Sequence, residues 1–301
     1  MLLKLLISAL LSVMINIYAD DNIQIYNSYG NSHEVIIQGR LLHKKEFNKV
    51  KKSDNFFQNL YRRAKEFVSD EIKNKIVKLD INHEKFKTKS DFEGYFQFDV
   101  TLKKSLKTGY HPIKLKIKDT SYIHDAKATI IDKKMIGIVC DFDDTIVVSN
   151  VTNKLKLAYN TIFKNYKQRK LIKGIKKRLE KILSQNPKTL PTPLFILSGS
   201  PQQLFNPIEG FLNYHHFPKH ILILKKSHGI NKDPLTDQYK YKTQKIEKLL
   251  QLYPNMKWVM FGDSGEKDRE VYESLIKKYP DKILRFYIRD VNNETYTEPL
   301  Q

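Results

Sequence analysis

The residues able to do chemistry gather at the ends of apolar runs. Asp141, Asp143 and Asp144 close the run at 135–140, with Thr145 directly behind them. Ser198 closes a second run at 194–197, and Asp263 follows a third at 258–261, with Asp268 a little further on. Lys242 lies between the second and third. Crowded carboxylates repel one another unless protons or a cation relieve them, and Mg2+ suits hard oxygen donors. The set has no histidine, and the single cysteine, Cys140, lies inside an apolar run as a core residue. Ser-His-Asp and Cys-His schemes are therefore not the first choice. Paired acids, a hydroxyl and a lysine around a metal suit phosphoryl transfer, where positioned charge supplies most of the catalysis.

The elements that must position these groups follow from hydrophobic rhythm. From residue 131 onward, short β-branched runs alternate with helical spacing. Helical periodicity shows in Leu155, Tyr159, Ile162, Phe163 and Tyr166, then in Ile172, Ile175, Leu179, Ile182 and Leu183. It returns around Leu204, Ile208 and Leu212, around Ile246 and Leu249, and around Val271 and Leu275, with further strands at 221–224 and 283–288. This alternation predicts a parallel sheet covered by helices on both faces. The carboxyl ends of such strands share one rim, so acids far apart in sequence can converge there. Lys242 is expected near the start of a helix, Ser200 as the cap before Pro201, and Asp144 as a hydrogen-bonding loop residue. Lys225, Lys226 and His228 are expected either to meet an anionic headgroup or to form a solvated loop.

Residues 20–130 read mostly as β. Strands are predicted at 23–26 and 34–42, with a turn at Gly30 and Asn31, and again at 76–81. Phe96, Phe98, Val100 and Leu102 alternate with polar residues, as do Ile113, Leu115 and Ile117 with Lys114, Lys116 and Lys118. A helix through Phe56, Leu60, Ala64 and Phe67 would be capped by Ser53 or Asp54. These short strands predict a small antiparallel β-sandwich. His83, His111 and His124 stand alone, and His215 and His216 have no matching acids, so none is assigned a role.

A chain of 301 residues with 41% apolar and 11% aromatic content can build two cores, here expected at 20–130 and 131–301. The formal charge of +20 implies lysines spread over solvated faces or attraction to anionic surfaces. No nucleic-acid-binding motif accompanies it, so nucleic acid is not an expected partner. Residues 1–19 read as a cleavable signal peptide: Lys4, an apolar stretch, then Ala19 before two aspartates. An uncleaved anchor is the alternative. The expected destination is the periplasm or the exterior. The sequon at Asn150 lies beside the acids, where modification is not expected.

These motifs also resemble a family. Asp-x-Asp-x-Thr after one strand, Ser after a second, Lys, then Gly-Asp-x-x-x-x-Asp is similar to the haloacid dehalogenase superfamily of phosphatases. Within it, the App1-type phosphatidate phosphatase domain is the nearer likeness, through 141–145, 151–165, 198–205, 242–246, 262–272 and 287–291. The turn at 91–96 resembles that family's β-rich leader. Gln202 replaces a usual aromatic and Arg269 a usual proline. The resemblance implies an α/β fold, a Rossmann-like parallel sheet of the haloacid dehalogenase type preceded by the β-sandwich. It implies Asp141 as nucleophile and Asp143 as general acid and base. Thr145, Ser198 and Lys242 would surround the phosphate, Thr145 by steadying its loop. Mg2+ would sit among Asp141, Asp143, Asp263 and Asp268. The implied substrate is phosphatidate, cleaved to diacylglycerol and phosphate, with peripheral contact to an anionic phospholipid surface. Two rival readings stand beside it: a phosphatase for a soluble or protein-bound phosphate monoester, and a non-catalytic exported binding protein.

Overall fold

Five short strands form the sheet at whose rim the acids lie: β8 (Ile136–Cys140), β9 (Leu194–Pro201), β10 (Ile221–Lys225), β11 (Lys257–Asp263) and β12 (Ile283–Arg289). Ile138, Val139 and Cys140 are fully buried, and β8 carries no charge or proline. Such a run fits the centre of a parallel sheet, covered on both faces. The computed structural model describes residues 21–43, 49–67, 71–121, 123–149, 164–230, 232–234 and 236–292. The signal peptide expected at 1–19, the sequon at Asn150 and the helical run from Leu155 to Phe163 lie outside them.

The five strands are parallel, in the order β10-β9-β8-β11-β12. The chain leaves β8 in one direction and returns to its other side at β11, so the order reverses between these two strands. That crevice is where doubly wound sheets bind ligands. Alternate residues feed two cores. Val139, Phe195, Leu197 and Met260 face α4 (Gln238–Leu252) and α5 (Asp268–Lys278). Ile138, Cys140, Ile196 and Phe261 face α2 (Ile175–Leu183) and α3 (Phe205–Tyr214).

The N-terminal strands are β1 (Asp21–Gly30), β2 (Glu34–His43), β3 (Ile76–Ile81), β4 (Glu84–Lys89), β5 (Tyr95–Thr101), β6 (Gly109–Ile117) and β7 (Ile123–Ile130). They form one sheet, ordered β4-β3-β6-β7-β1-β2-β5. It is mixed rather than purely antiparallel, because β1 and β7 run parallel, joined at Tyr29–Thr129 and Gly30–Ile130. Ile37 and Phe98 from one half meet Val77, Leu79 and Leu115 from the other in one core. Helix α1 (Phe56–Phe67) is opened by Asn55, not by Ser53 or Asp54. Asn55 Oδ1 accepts from Gln58 N at 3.0 Å and Gln58 Oε1 accepts from Asn55 N at 2.8 Å, a reciprocal capping box.

The two sheets are joined by packing and polar contacts. Tyr29 meets Phe195 edge-on at 5.8 Å, and Tyr29, Ile36 and Ile131 belong to the core under α4 and α5. Asp91 Oδ2 accepts from Lys226 Nζ at 3.2 Å and from Ile230 N at 3.0 Å.

His220 leads into β10. Its Nε2 lies 3.2 Å from Glu209 Oε1 on α3 and its Nδ1 2.8 Å from the Pro218 carbonyl. Burial alone would lower its pKa, but the Glu209 carboxylate and that carbonyl outweigh burial and raise it. The imidazolium contribution is therefore complete below the unfolded value of about 6.5 and is lost as pH rises through the raised folded value. Glu209→Gln is expected to cost roughly 1 kcal/mol near pH 5.5 and almost nothing near pH 9, read from urea midpoints at the two pH values.

Candidate active site

Asp141 is the first residue beyond β8, and Asp263 is the last of β11. Asp141 N donates to the Phe261 carbonyl at 2.8 Å, and Cys140 is in register with Phe261. The ladder therefore sets the two carboxylates side by side. Asp268 begins α5 and returns to the same point. Gly262 makes this possible: a Cβ there would lie 2.4 Å from Asp268 Oδ2.

Lys242, in the second turn of α4, reaches this cluster from behind. Its side chain is 1% exposed. The ammonium donates to Asp141 Oδ1 at 2.9 Å, to Glu266 Oε2 at 2.9 Å and to Asp268 Oδ1. Three donors thus meet three carboxylates. Its neighbours do otherwise: Lys240 is exposed and Lys245 pairs with Asp233 at 2.7 Å.

Four carboxylates against one ammonium leave an excess of negative charge. Burial pushes the Asp141 pKa well up, with Lys242 opposing the rise. Burial and then Asp268 push Asp263 up to about 8, and burial raises Glu266. For Lys242, burial would lower the pKa, but Asp141, Asp268 and Glu266 together drive it well up. Asp141 Oδ2 and Asp263 Oδ2 are buried and have no hydrogen-bond partner. Asp141, Asp263 and Asp268 each bring an oxygen within 4.8 Å of the others. Buried carboxylate oxygens without donors are costly, and this hard-oxygen set fits a divalent cation such as Mg2+. Asp268 has both oxygens engaged, by Lys242 and by Asp263 N at 3.2 Å.

Asp143 is held apart from that trio. Its Oδ1 accepts from Ser149 Oγ at 2.6 Å, and its Oδ2 from Ser198 Oγ at 3.2 Å and Ser200 Oγ at 3.0 Å. The Arg169 guanidinium lies 3.6 Å from Oδ1 and donates to Ser149 Oγ. Ser200 is therefore not the predicted helix cap. β9 continues through it to Pro201, which precedes the 3-10 turn Gln202–Leu204 without any side-chain cap. Thr145 lies fully buried in a tight turn fixed by Ile146 N to the Phe142 carbonyl at 2.9 Å. Asp144 adopts φ 54° there and accepts from Ser149 N at 2.8 Å, the loop role expected of it.

The turn carrying Arg169 is gripped by the N-terminal unit. Asn165 Nδ2 donates to the Lys51 carbonyl at 2.9 Å, and Gln168 Nε2 to the Asp54 carbonyl at 2.8 Å. Asn59 Nδ2 on α1 donates to Gln168 Oε1 at 2.8 Å. Lys225, expected in the loop after β10, instead ends that strand, and in the loop itself Lys226 is held by Asp91 while His228 is exposed. Lys225 is buried, donates to Gln238 Oε1 at 3.1 Å and lies over the Tyr241 ring at 4.7 Å. Burial lowers its pKa.

The structure thus unites Asp141, Lys242, Asp263 and Asp268, and sets Asp143 with Ser198 beside them. Glu266, Ser149 and Arg169 were not anticipated. Glu266 alone carried a signal, lying in the acidic stretch after β11. Gly262→Ala is expected to push Asp268 off Lys242, destabilising the fold by roughly 1–3 kcal/mol and lowering any activity of the site at least about tenfold. Denaturant midpoints and turnover on one substrate check the two effects together.

Comparison with known proteins identifies the family. The family described as the catalytic domain of the phosphatidate phosphatase APP1 matches residues 136–290, more than half of the chain. The phosphatidate phosphatase APP1 of Saccharomyces cerevisiae is 28% identical over 167 residues, 54% of this chain and 27% of that protein. An uncharacterized protein of Schizosaccharomyces pombe is 22% identical over 233 residues, 73% of this chain and 38% of that protein. The chain thus spans well under two thirds of both relatives. Among solved structures, a carbohydrate acetylesterase from Xanthomonas citri overlaps 90% of this chain and 68% of its own, at 9% identity and a TM-score of 0.31. The match over 136–290 covers more than half of the chain and leads to one conclusion: the chain belongs to the family of the phosphatidate phosphatase APP1 catalytic domain.

Proposed function

We propose that this protein is an exported, Mg2+-dependent phosphatase of the haloacid dehalogenase type, hydrolysing phosphatidate through an aspartyl-phosphate on Asp141. The observation that carries the reading is the state of Asp141. One oxygen is fixed by Lys242 at 2.9 Å and the other is buried without a partner. A nucleophile held by one oxygen and free at the other loses little freedom in the reaction.

An Asp141 carboxylate oxygen attacks phosphorus, and the bond from phosphorus to the diacylglycerol oxygen breaks. Asp143 gives its proton to that oxygen. Water then attacks the acyl phosphate, Asp143 takes back a proton, and the phosphorus–Asp141 bond breaks to release phosphate. Ser149, Ser198 and Ser200 suit both protonation states of Asp143, since a hydroxyl can donate or accept. Ser198 would turn its hydroxyl from Asp143 to a transferring oxygen, and the Lys242 ammonium, its donors taken by Asp141, Glu266 and Asp268, would offset the charge developing there through space. Asp141 and Asp263, with Asp268 directly or through water, would hold Mg2+, which supplies charge neutralisation at the phosphoryl group. Export through residues 1–19 and substrate at a membrane surface belong to the same proposal.

Phosphate release from phosphatidate in mixed micelles, beside a short soluble phosphate ester, tests the substrate. Faster release from phosphatidate, lost on chelation and at least about a thousandfold slower in Asp141→Asn and Asp143→Asn, is expected. Equal turnover of the soluble ester would favour the rival substrate class, and an active Asp141→Asn would end the nucleophile assignment. The metal has its own readout. Mg2+ at about a hundred times its dissociation constant is expected to add about 2.7 kcal/mol of stability, and Asp263→Asn to abolish that gain.

A further inference from the structure

Away from the acids, one face of the N-terminal sheet concentrates positive charge in a way the fold does not require. The register sets Lys87, Lys78 and Lys116 directly opposite one another across β4, β3 and β6, with Ile123 of β7 next in the row. The adjacent row runs Lys85, Asp80, Lys114, Asp125. Lys89 and Lys127 extend the same face. Like charges opposite one another on a sheet are destabilising. None of Lys78, Lys85, Lys87, Lys114 and Lys116 forms a salt bridge among the described residues. Lysines on an edge strand guard against strand addition, which accounts for β4. It does not account for Lys78 and Lys116, which lie on interior strands.

A groove of about 530 Å³ crosses this face, lined from β3, β4, β6 and β7. Its lysine stems offer methylene surface while their heads reach solvent, and Ile123 beside them is 51% exposed. Phe86 in the groove wall is half-buried, and Tyr110, two rows beyond Lys114 on the same face, is covered by Lys219 at 4.6 Å, so no fully open ring is offered to stack on a base, as single-stranded nucleic acid binding would need. We infer that this lysine-rich face of β3, β4, β6 and β7 is a docking surface for a lipid bilayer bearing anionic head groups. The lysine heads meet the head groups, and Ile123 and the groove meet the acyl boundary. The inference rests on the lipid-substrate reading above for its purpose, but binding is measurable without catalysis.

The test is co-sedimentation of Asp141→Asn protein with phosphatidylcholine vesicles, with and without about 30 mol% phosphatidylserine. Binding to the anionic vesicles alone, weakening with salt, is expected. The triple variant Lys78→Gln, Lys87→Gln, Lys116→Gln is expected to bind roughly a hundredfold more weakly, while soluble-ester turnover, measured with Asp141 intact, is unchanged. Lys78→Glu, flanked by Lys87 and Lys116, is expected to raise the unfolding midpoint while weakening vesicle binding, a split no structural role would give. A control triple on α5, Lys267→Gln, Lys277→Gln, Lys278→Gln, is expected to bind as the parent does. Equal loss in the control, unchanged binding in the first triple, no preference for anionic vesicles, or capture of RNA in their place would each overturn the inference. Binding without phosphatidate hydrolysis would leave this face standing and remove only the proposed reaction.

Discussion

Everything at the acidic rim depends on one buried ammonium group. Lys242 donates to Asp141, Glu266 and Asp268 at once. It opposes the rise in pKa that burial imposes on Asp141, Asp263 and Glu266. Buried ion pairs seldom repay their desolvation against an apolar alternative, so this cluster is not there for stability. The two apolar cores on either side of the parallel sheet offset its cost. The same helix turn also steadies the neighbouring strand, since the Tyr241 hydroxyl donates to the Ser198 carbonyl at 3.1 Å.

Two aspartates one residue apart are given opposite surroundings. Asp141 faces an ammonium and other acids, whereas Asp143 faces three serine hydroxyls and a guanidinium. Phe142 between them is fully buried and packs edge-on against Phe211 at 5.7 Å. That anchor fixes the backbone from which both acids leave. Environments that separate two like groups are how a site divides nucleophile from acid and base.

Much of this was legible in the amino-acid order, for a physical reason. The strands of the parallel sheet are buried on both faces, so each reads as an unbroken apolar run, and the acids mark where it ends. β4, with three lysines in six residues, and β7, with a polar first half, were missed because both are largely half exposed, held by pairing more than by burial. Asn82 and His83, both at positive φ, turn β3 into β4, yet nothing apolar marks the hairpin. Ser200 was misread because a proline usually ends a strand, whereas here Pro201 is still paired, with Lys225 beyond a register shift. Ser149 and Arg169 reach Asp143 through a fold-back of the chain that no local spacing encodes.

The grip of Lys51, Asp54 and Asn59 on Asn165 and Gln168 bears on how such a protein can be inherited. The stretch that defines the family begins at β8, yet the turn of the arginine beside Asp143 is steadied by backbone carbonyls from more than a hundred residues earlier in the chain. Transplanting the acidic half alone onto a new partner would leave that arginine's turn unclamped and bare the apolar patch that Tyr29 and Ile36 cover. Recombination would therefore have to carry the two sheets together, as one heritable unit.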